Sequence, residues 1–258
     1  MRRFLPVPGD EPLDEVYADL DLPAGGARPH VYLGMVSSVD GSAVVDGRST
    51  GLGGAGDRAA FGALRRTCDV ILVGAGTVRQ EDYRPPRAPE HVVARRSARG
   101  LAPRATIAVV TASGRLDPGS RLFADPTYRP VVVTSAATDV DHLAGVADVL
   151  RAGDAEVDLA GALAELAARG ARRVLCEGGP SLNAALLRAG LVDELFLTIA
   201  PTLVGASAHR ILDGVLPAPV DLELVELRAH DSELLLRYRV LPAVRGPDER
   251  PSGAEAPR

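Results

Sequence analysis

The chain has 258 residues, 46% of them apolar, and a net charge of −5. That suffices for one substantial hydrophobic core, but no stretch nears the ~18 apolar residues of a membrane span, and an acidic chain with 3% aromatic residues lacks the basic face and stacking rings of a nucleic-acid surface. All 29 basic residues are arginine, which excludes a Walker-A phosphate loop and a lysine Schiff base.

The opening "MRRFLPVPGDEPLDE" lacks the ~7–15-residue apolar run of a signal peptide, so a cytoplasmic protein is expected. Residues 1–29, acidic and bounded by Pro and Gly, read as an arm lying on the domain. "HVYLGMV" (30–36) is a first strand. Asp57 is placed to cap a helix in which Phe61, Leu64 and Cys68 recur at helical spacing. "DVILVGA" (69–75) is a second strand, leading into a helical turn at "GTVR". An Arg/Pro-rich loop spans 80–104; its arginines (84, 87, 95, 96, 99 and 104) read for the most part as a solvated segment. "ATIAVVT" (105–111) and "PVVVTS" (130–135) are further strands. Asp158 caps a helix with Leu159, Leu163 and Leu166 on one face, ended by Gly170.

"RRVLCEGGPSLNAALLRAG" (172–190) is strand, turn and helix, with Pro180 suited to the first helical position and Gly190 just past the last turn. After it the pattern changes. "DELFLTIAP" (193–201), "DLELVELRA" (221–229) and "ELLLRYRVL" (233–241) follow without intervening helices, and His230-Asp231-Ser232 makes a hairpin turn. Parallel α/β units closed by antiparallel strands predict an α/β fold: one mixed, mostly parallel sheet with flanking helices and an antiparallel C-terminal hairpin. The folded domain is expected over 30–242. Residues 243–258 have little to bury and are expected to form a disordered tail.

Chemistry is expected at strand ends. Gly178 and Gly179 remove side chains where a strand enters a helix, and a helix N-terminus favours a phosphate. Gly74, Gly76 and Thr77 form a second glycine turn, without the full G-x-G-x-x-G fingerprint. Thr111, Ser113 and Arg115 end a third strand with groups suited to a phosphate monoester. A ligand with a pyrophosphate and another phosphate, such as NADP, would match all three. Ser37, Ser38 and Asp40 end the first strand, where Asp40-Gly41 is either a simple turn or a carboxylate that orients substrate or relays a proton. The five histidines are scattered, without H-E-x-x-H, C-x-x-C or the zinc-deaminase signature, so no metal is expected. Cys68 and Cys176 border apolar runs and read as buried thiols.

Three segments, "MVSSVDGSAVVDGRSTGLGG", "LRRTCDVILVGAGTVRQEDYRP" and "VLCEGGPSLNAALLRAGLVDELFLTIAPTLVGA", together resemble the pyrimidine reductase family of riboflavin biosynthesis, over roughly residues 30–240. The resemblance implies a dihydrofolate reductase-like fold and hydride transfer from NADPH to the ribosyl group of a 5-amino-6-ribosylaminopyrimidine 5′-phosphate, giving ribityl, without the deaminase step. It implies that Gly74, Gly76, Thr77 and Val78, with Gly178, Gly179, Pro180, Ser181 and Leu182, cradle NADPH, and that Thr111, Ser113 and Arg115 hold its 2′-phosphate. Ser38, Asp40 and Gly41 then lie on the substrate side, with Arg84 or Arg87 for the substrate phosphate. Asp40 and Glu177 are the candidate proton donors or positioning groups, with Glu177 facing the nicotinamide. "QEDYRPPR" departs from the family's commoner "D-D-P-x-L-x-x-R" pattern at the substrate pocket. Fold analogy implies a homodimer through the sheet or its C-terminal strands. Two alternatives stay open: a paralogue reducing a dihydropterin or similar ring, and a non-catalytic NADP-binding protein.

Overall fold

Short β-branched and leucine runs between polar turns supply the middle of a sheet, because such runs can be covered on both faces. The computed structural model describes residues 1–18, 20–205 and 209–242, so the expected tail at 243–258 lies outside the described residues. The strands are β1 (Arg2–Leu5), β2 (Gly9–Asp10), β3 (His30–Ser38), β4 (Val70–Gly74), β5 (Thr106–Val110), β6 (Val131–Thr134), β7 (Asp148–Arg151), β8 (Arg173–Cys176), β9 (Glu194–Ala200), β10 (Leu222–His230) and β11 (Glu233–Val240). The helices are α1 (Ala55–Thr67), α2 (Ala75–Gln80), α3 (Glu90–Ser97), α4 (Leu159–Ala168) and α5 (Pro180–Arg188). All the strands join one sheet in the order β2-β1-β10-β11-β9-β3-β8-β4-β5-β6-β7. Pairing is parallel from β9 to β7 and antiparallel from β9 out to β2. This is the mixed, mostly parallel sheet with an antiparallel hairpin that the sequence predicts.

Alternation along each strand divides the core into two layers. Ile71 and Val73 of β4 face α1 and the N-terminal segment, with Tyr17, Tyr32, Leu64 and Phe196. Val70 and Leu72 face α4 and α5, with Leu163, Leu166 and Leu186. The ends of α4 and α5 follow their local signals. The Asp158 carboxylate accepts from the Gly161 amide at 3.0 Å, Pro180 opens α5, and Gly170 and Gly190 take positive φ just beyond the helix ends. Among the described residues no helix is long and apolar enough to cross a membrane.

Four elements were not foreseen. β7 extends the parallel edge, and α3 interrupts the expected loop at 80–104. β1 and β2 come from the N-terminal segment, which pairs with β10 and also places Val16, Tyr17, Leu20 and Leu22 in the core. Arg228 on β10, paired with Glu226 of the same strand, holds this segment by its contact with Glu11 and by its place over the ring of Tyr17 at 4.5 Å. Arg96 of α3 departs from the solvated reading. It is 2% exposed, and its guanidinium donates to the carbonyls of Ala102, Arg65 and Cys68 at 2.6–2.9 Å. A cation there meets carbonyls left over at the C-terminal end of α1.

The start of α1 corrects the expected cap. Gly54 holds the cap position, and Asp57 lies inside the first turn, buried, with Oδ1 unpartnered. Burial pushes its carboxyl up, opposed by a hydrogen bond with Thr198 and reinforced by the charge of Glu233. The orphan amides are met from the hairpin instead: Gly54 N and Gly56 N donate to Glu233 Oε1 and Oε2 at 2.6 and 2.8 Å. Replacing this carboxylate removes a cap that is buried and charged. Glu233→Ala is expected to cost about 2 kcal/mol, read as a lower urea midpoint with unchanged slope.

Candidate active site

Parallel sheets bind ligands at the carboxyl ends of strands, where the chain order reverses. Here β8 lies between β3 and β4, both of which precede it in sequence, and this insertion brings two separately read turns together. The Gly74 amide donates to the Gly178 carbonyl at 2.7 Å. Gly178 has φ +85°, a backbone state that favours glycine. A Cβ on Gly179 would stand 2.7 Å from Thr77 Oγ1, so a side chain there would crowd the adjoining turn. The 74–78 and 177–181 segments are one structural unit.

The side chains of this unit divide by role. Val78 and Leu182 are 4% and 9% exposed and belong to the core, so a ligand can meet these positions only through backbone. Ser181 is exposed and donates to Asp213 Oδ2 at 3.1 Å. Asn183 is buried and donates to the Ile211 carbonyl at 2.9 Å, tying the segment that follows β9 to α5.

Glu177, expected on the nicotinamide side, is engaged within the fold. Its side chain is 1% exposed and turned towards α1. Oε1 and Oε2 accept from Arg65 Nε and Nη2, each at 2.6 Å, and Oε2 also accepts from the Tyr83 hydroxyl. Burial works against the Arg65 charge, but the Glu177 carboxylate more than offsets it and the guanidinium is held protonated. Burial, with Glu177's negative charge, likewise pushes the Tyr83 phenol well up. A carboxylate engaged on both oxygens by a cation and a phenol is an acceptor, not a proton donor.

Asp40 is engaged as well. It accepts from Ser38 Oγ at 2.5 Å, from Gly205 N at 2.7 Å and from Val204 N at 3.2 Å. The Ser38 bond first, then the two amides, lower its pKa to about 2. Asp40 is therefore an ionised anchor between the turn after β3 and the segment after β9. Gly41, at φ +90°, completes the turn, and the Ser42 amide closes it on Ser38 Oγ at 2.8 Å.

At the end of β5, Thr111 is 3% exposed, and its hydroxyl oxygen accepts from Gly114 N at 3.0 Å, which closes the turn. Ser113 and Arg115 are exposed. Arg79 of α2, not singled out in the sequence, donates to the Arg115 carbonyl at 2.7 Å, so two exposed arginines adjoin there. Arg84 and Arg87 are both exposed; Arg84 lies 3.5 Å from Asp82, which pairs more closely with Arg121 at 2.6 Å. Arg65 and Tyr83 were missed. Arg65 is one of two adjacent arginines in "LRRT", and only its place one turn from Phe61 on the inward face of α1 hints at a role.

Residues 29–236 match the family model of the RibD C-terminal domain. The chain belongs to the RibD C-terminal domain family. Among relatives of this domain, the 2,5-diamino-6-ribosylamino-4(3H)-pyrimidinone 5′-phosphate reductase of Methanothermobacter thermautotrophicus is 34% identical, over 83% of this chain and 99% of that protein. The riboflavin biosynthesis protein RibD of Mycobacterium tuberculosis is 30% identical over 72% of this chain but 46% of its own length. A solved pyrimidine reductase-like protein from Corynebacterium diphtheriae superposes with a TM-score of 0.77 at 26% identity, over 89% of this chain and 99% of that one. As a member of this reductase family the chain is an oxidoreductase.

Asp40 in this RibD C-terminal domain has a folded pKa below the ordinary ~3.9 of a carboxyl. The tie to Val204 and Gly205 is thus fully present above that value and lost as pH falls through about 2. Asp40→Asn removes the charge at every pH and is expected to speed amide exchange at Val204 and Gly205 about tenfold at neutral pH, measured by NMR.

Proposed function

We propose that the chain reduces the ribosyl group of a 5-amino-6-ribosylaminopyrimidine 5′-phosphate to ribityl, using NADPH and performing no deamination. The observation that carries this reading is the joined pair of glycine turns at the ends of β4 and β8, a side-chain-free junction beside an ionised Asp40-Gly41 turn. The name of the M. thermautotrophicus relative, a diaminopyrimidinone reductase, supports the form that keeps its 2-amino group as the substrate.

The residues present fit a dinucleotide phosphate. Gly178 and Gly179 admit a pyrophosphate against the backbone at the start of α5, and Arg79 with Arg115 offers two guanidinium groups for a further phosphate. Bound NADPH supplies a hydride. The chain's own residues bind, orient and exclude water. Opening the ribosylamine ring leaves a C1′=N imine; hydride adds to C1′ and a proton to nitrogen. Asp40 is held ionised and Glu177 is engaged on both oxygens by Arg65 and Tyr83, so they act as positioning groups, and the proton comes from solvent. Exposed Arg84 and Arg87 stand on the segment that departs from the family pattern and take the substrate phosphate. The apolar face carrying Leu222, Leu224 and Leu234, each about two-fifths exposed, supports a homodimer through the C-terminal strands.

Purified chain is expected to oxidise NADPH with the diaminopyrimidinone ribosyl phosphate and not with dihydropterins. NADPH binding without turnover on either pyrimidine form would sink the substrate assignment, and no NADPH binding would sink the whole reading. In the same assay, replacing Arg79 and Arg115 together with alanine is expected to weaken NADPH binding about tenfold or more, the loss of one charge-assisted contact or more, while leaving NADH binding unchanged.

A further inference from the structure

A pair of glycines has no side chain with which to orient itself, so the turn at Gly178–Gly179 takes its attitude from what flanks it. On one side the Gly74 amide holds the Gly178 carbonyl, and the Glu177 amide donates to Leu72 O at 2.9 Å. The Glu177 side chain, next to the first glycine, is gripped by two residues from elsewhere in the fold: Arg65 from α1 and Tyr83 from the segment after α2. Arginine binds a carboxylate through two parallel N–H bonds, which sets the carboxylate plane as well as its position. The Tyr83 hydroxyl adds a third point. Arg65 lies over the Phe61 and Tyr83 rings at 5.6 and 5.8 Å, so its own side chain is confined.

We infer that Arg65 and Tyr83 are positioning residues of the reaction, acting through Glu177 to hold the Gly178–Gly179 turn in the attitude that receives the dinucleotide. The inference rests on the reductase reading. It predicts that the geometry of the grip matters, beyond its charge: a lysine at 65 keeps the charge but cannot bind both oxygens side by side.

The experiment is NADPH titration and steady-state kinetics on Tyr83→Phe, Arg65→Lys and Glu177→Gln, and on Tyr83→Phe combined with Glu177→Gln, each at a temperature where circular dichroism shows it folded. Tyr83→Phe, which removes one hydroxyl and keeps the ring, is expected to raise the Kd for NADPH severalfold with little change in the KM for the pyrimidine. Arg65→Lys is expected to fail to preserve the wild-type Kd. Adding Tyr83→Phe to Glu177→Gln should change little, because residues acting through one group are non-additive. Full additivity, or a Kd and kcat within twofold of wild type in Tyr83→Phe, overturns the inference. If Arg65→Lys does not fold, the Tyr83→Phe pair of comparisons decides alone. Wild-type protein that does not bind NADPH removes the reductase reading and this inference with it; wild-type binding with additive variants removes only the inference.

Discussion

Four residues of β8 pair on one side with β3 and three of them on the other with β4, strands laid down far earlier in the chain. Everything at the candidate site depends on that insertion. It sets the end of β8 between the Asp40 turn and the Gly74 turn, and it lets one amide–carbonyl bond join segments about a hundred residues apart. A parallel strand inserted late cannot be specified by its neighbours in sequence. It needs a fully apolar run, covered on both faces, and Val174, Leu175 and Cys176 are each 0% exposed.

With no lysine in the chain, guanidinium groups make many of the long-range polar ties. Arg28 binds Asp193 through two bonds of 2.7 Å, joining the approach to β3 with the start of β9. Arg237 of β11 grips Glu194 of β9. Burial disfavours the Glu194 charge, but hydrogen bonds from His30 and Arg237 prevail and lower its pKa. Arg96 serves carbonyls, and Arg65 serves Glu177. A planar group with several donors suits all these places, since each side chain serves more than one acceptor atom.

The candidate carboxylates show how chemistry read from residue type is revised by partners. Asp40 and Glu177 each stand at a strand end, which is where a proton donor would be sought. In the fold one is tied to two amides and a serine, the other to an arginine and a tyrosine. Thr111 adds a turn-closing role that its residue type does not announce: its hydroxyl oxygen accepts from the Gly114 amide. Asp57, read as a cap, is displaced from that task by Glu233, which reaches α1 from a hairpin at the other end of the chain.

By itself the sequence determined whatever rests on local periodicity and backbone chemistry: the central strands, the caps of α4 and α5, the C-terminal hairpin, and the glycine turns that mark the rim. Its three motifs also carried the family. The tertiary structure alone decided which turns meet, which carboxylates are engaged, and that the N-terminal segment, β7 and α3 belong to ordered elements. β1, β2 and β7 are short and partly polar, so their strand character comes from pairing with a neighbour and not from a pattern of their own. The grip of Arg65 and Tyr83 on Glu177 was illegible because it joins three separate segments of the chain, and a hydrogen bond across such a distance leaves no trace in the spacing of residues.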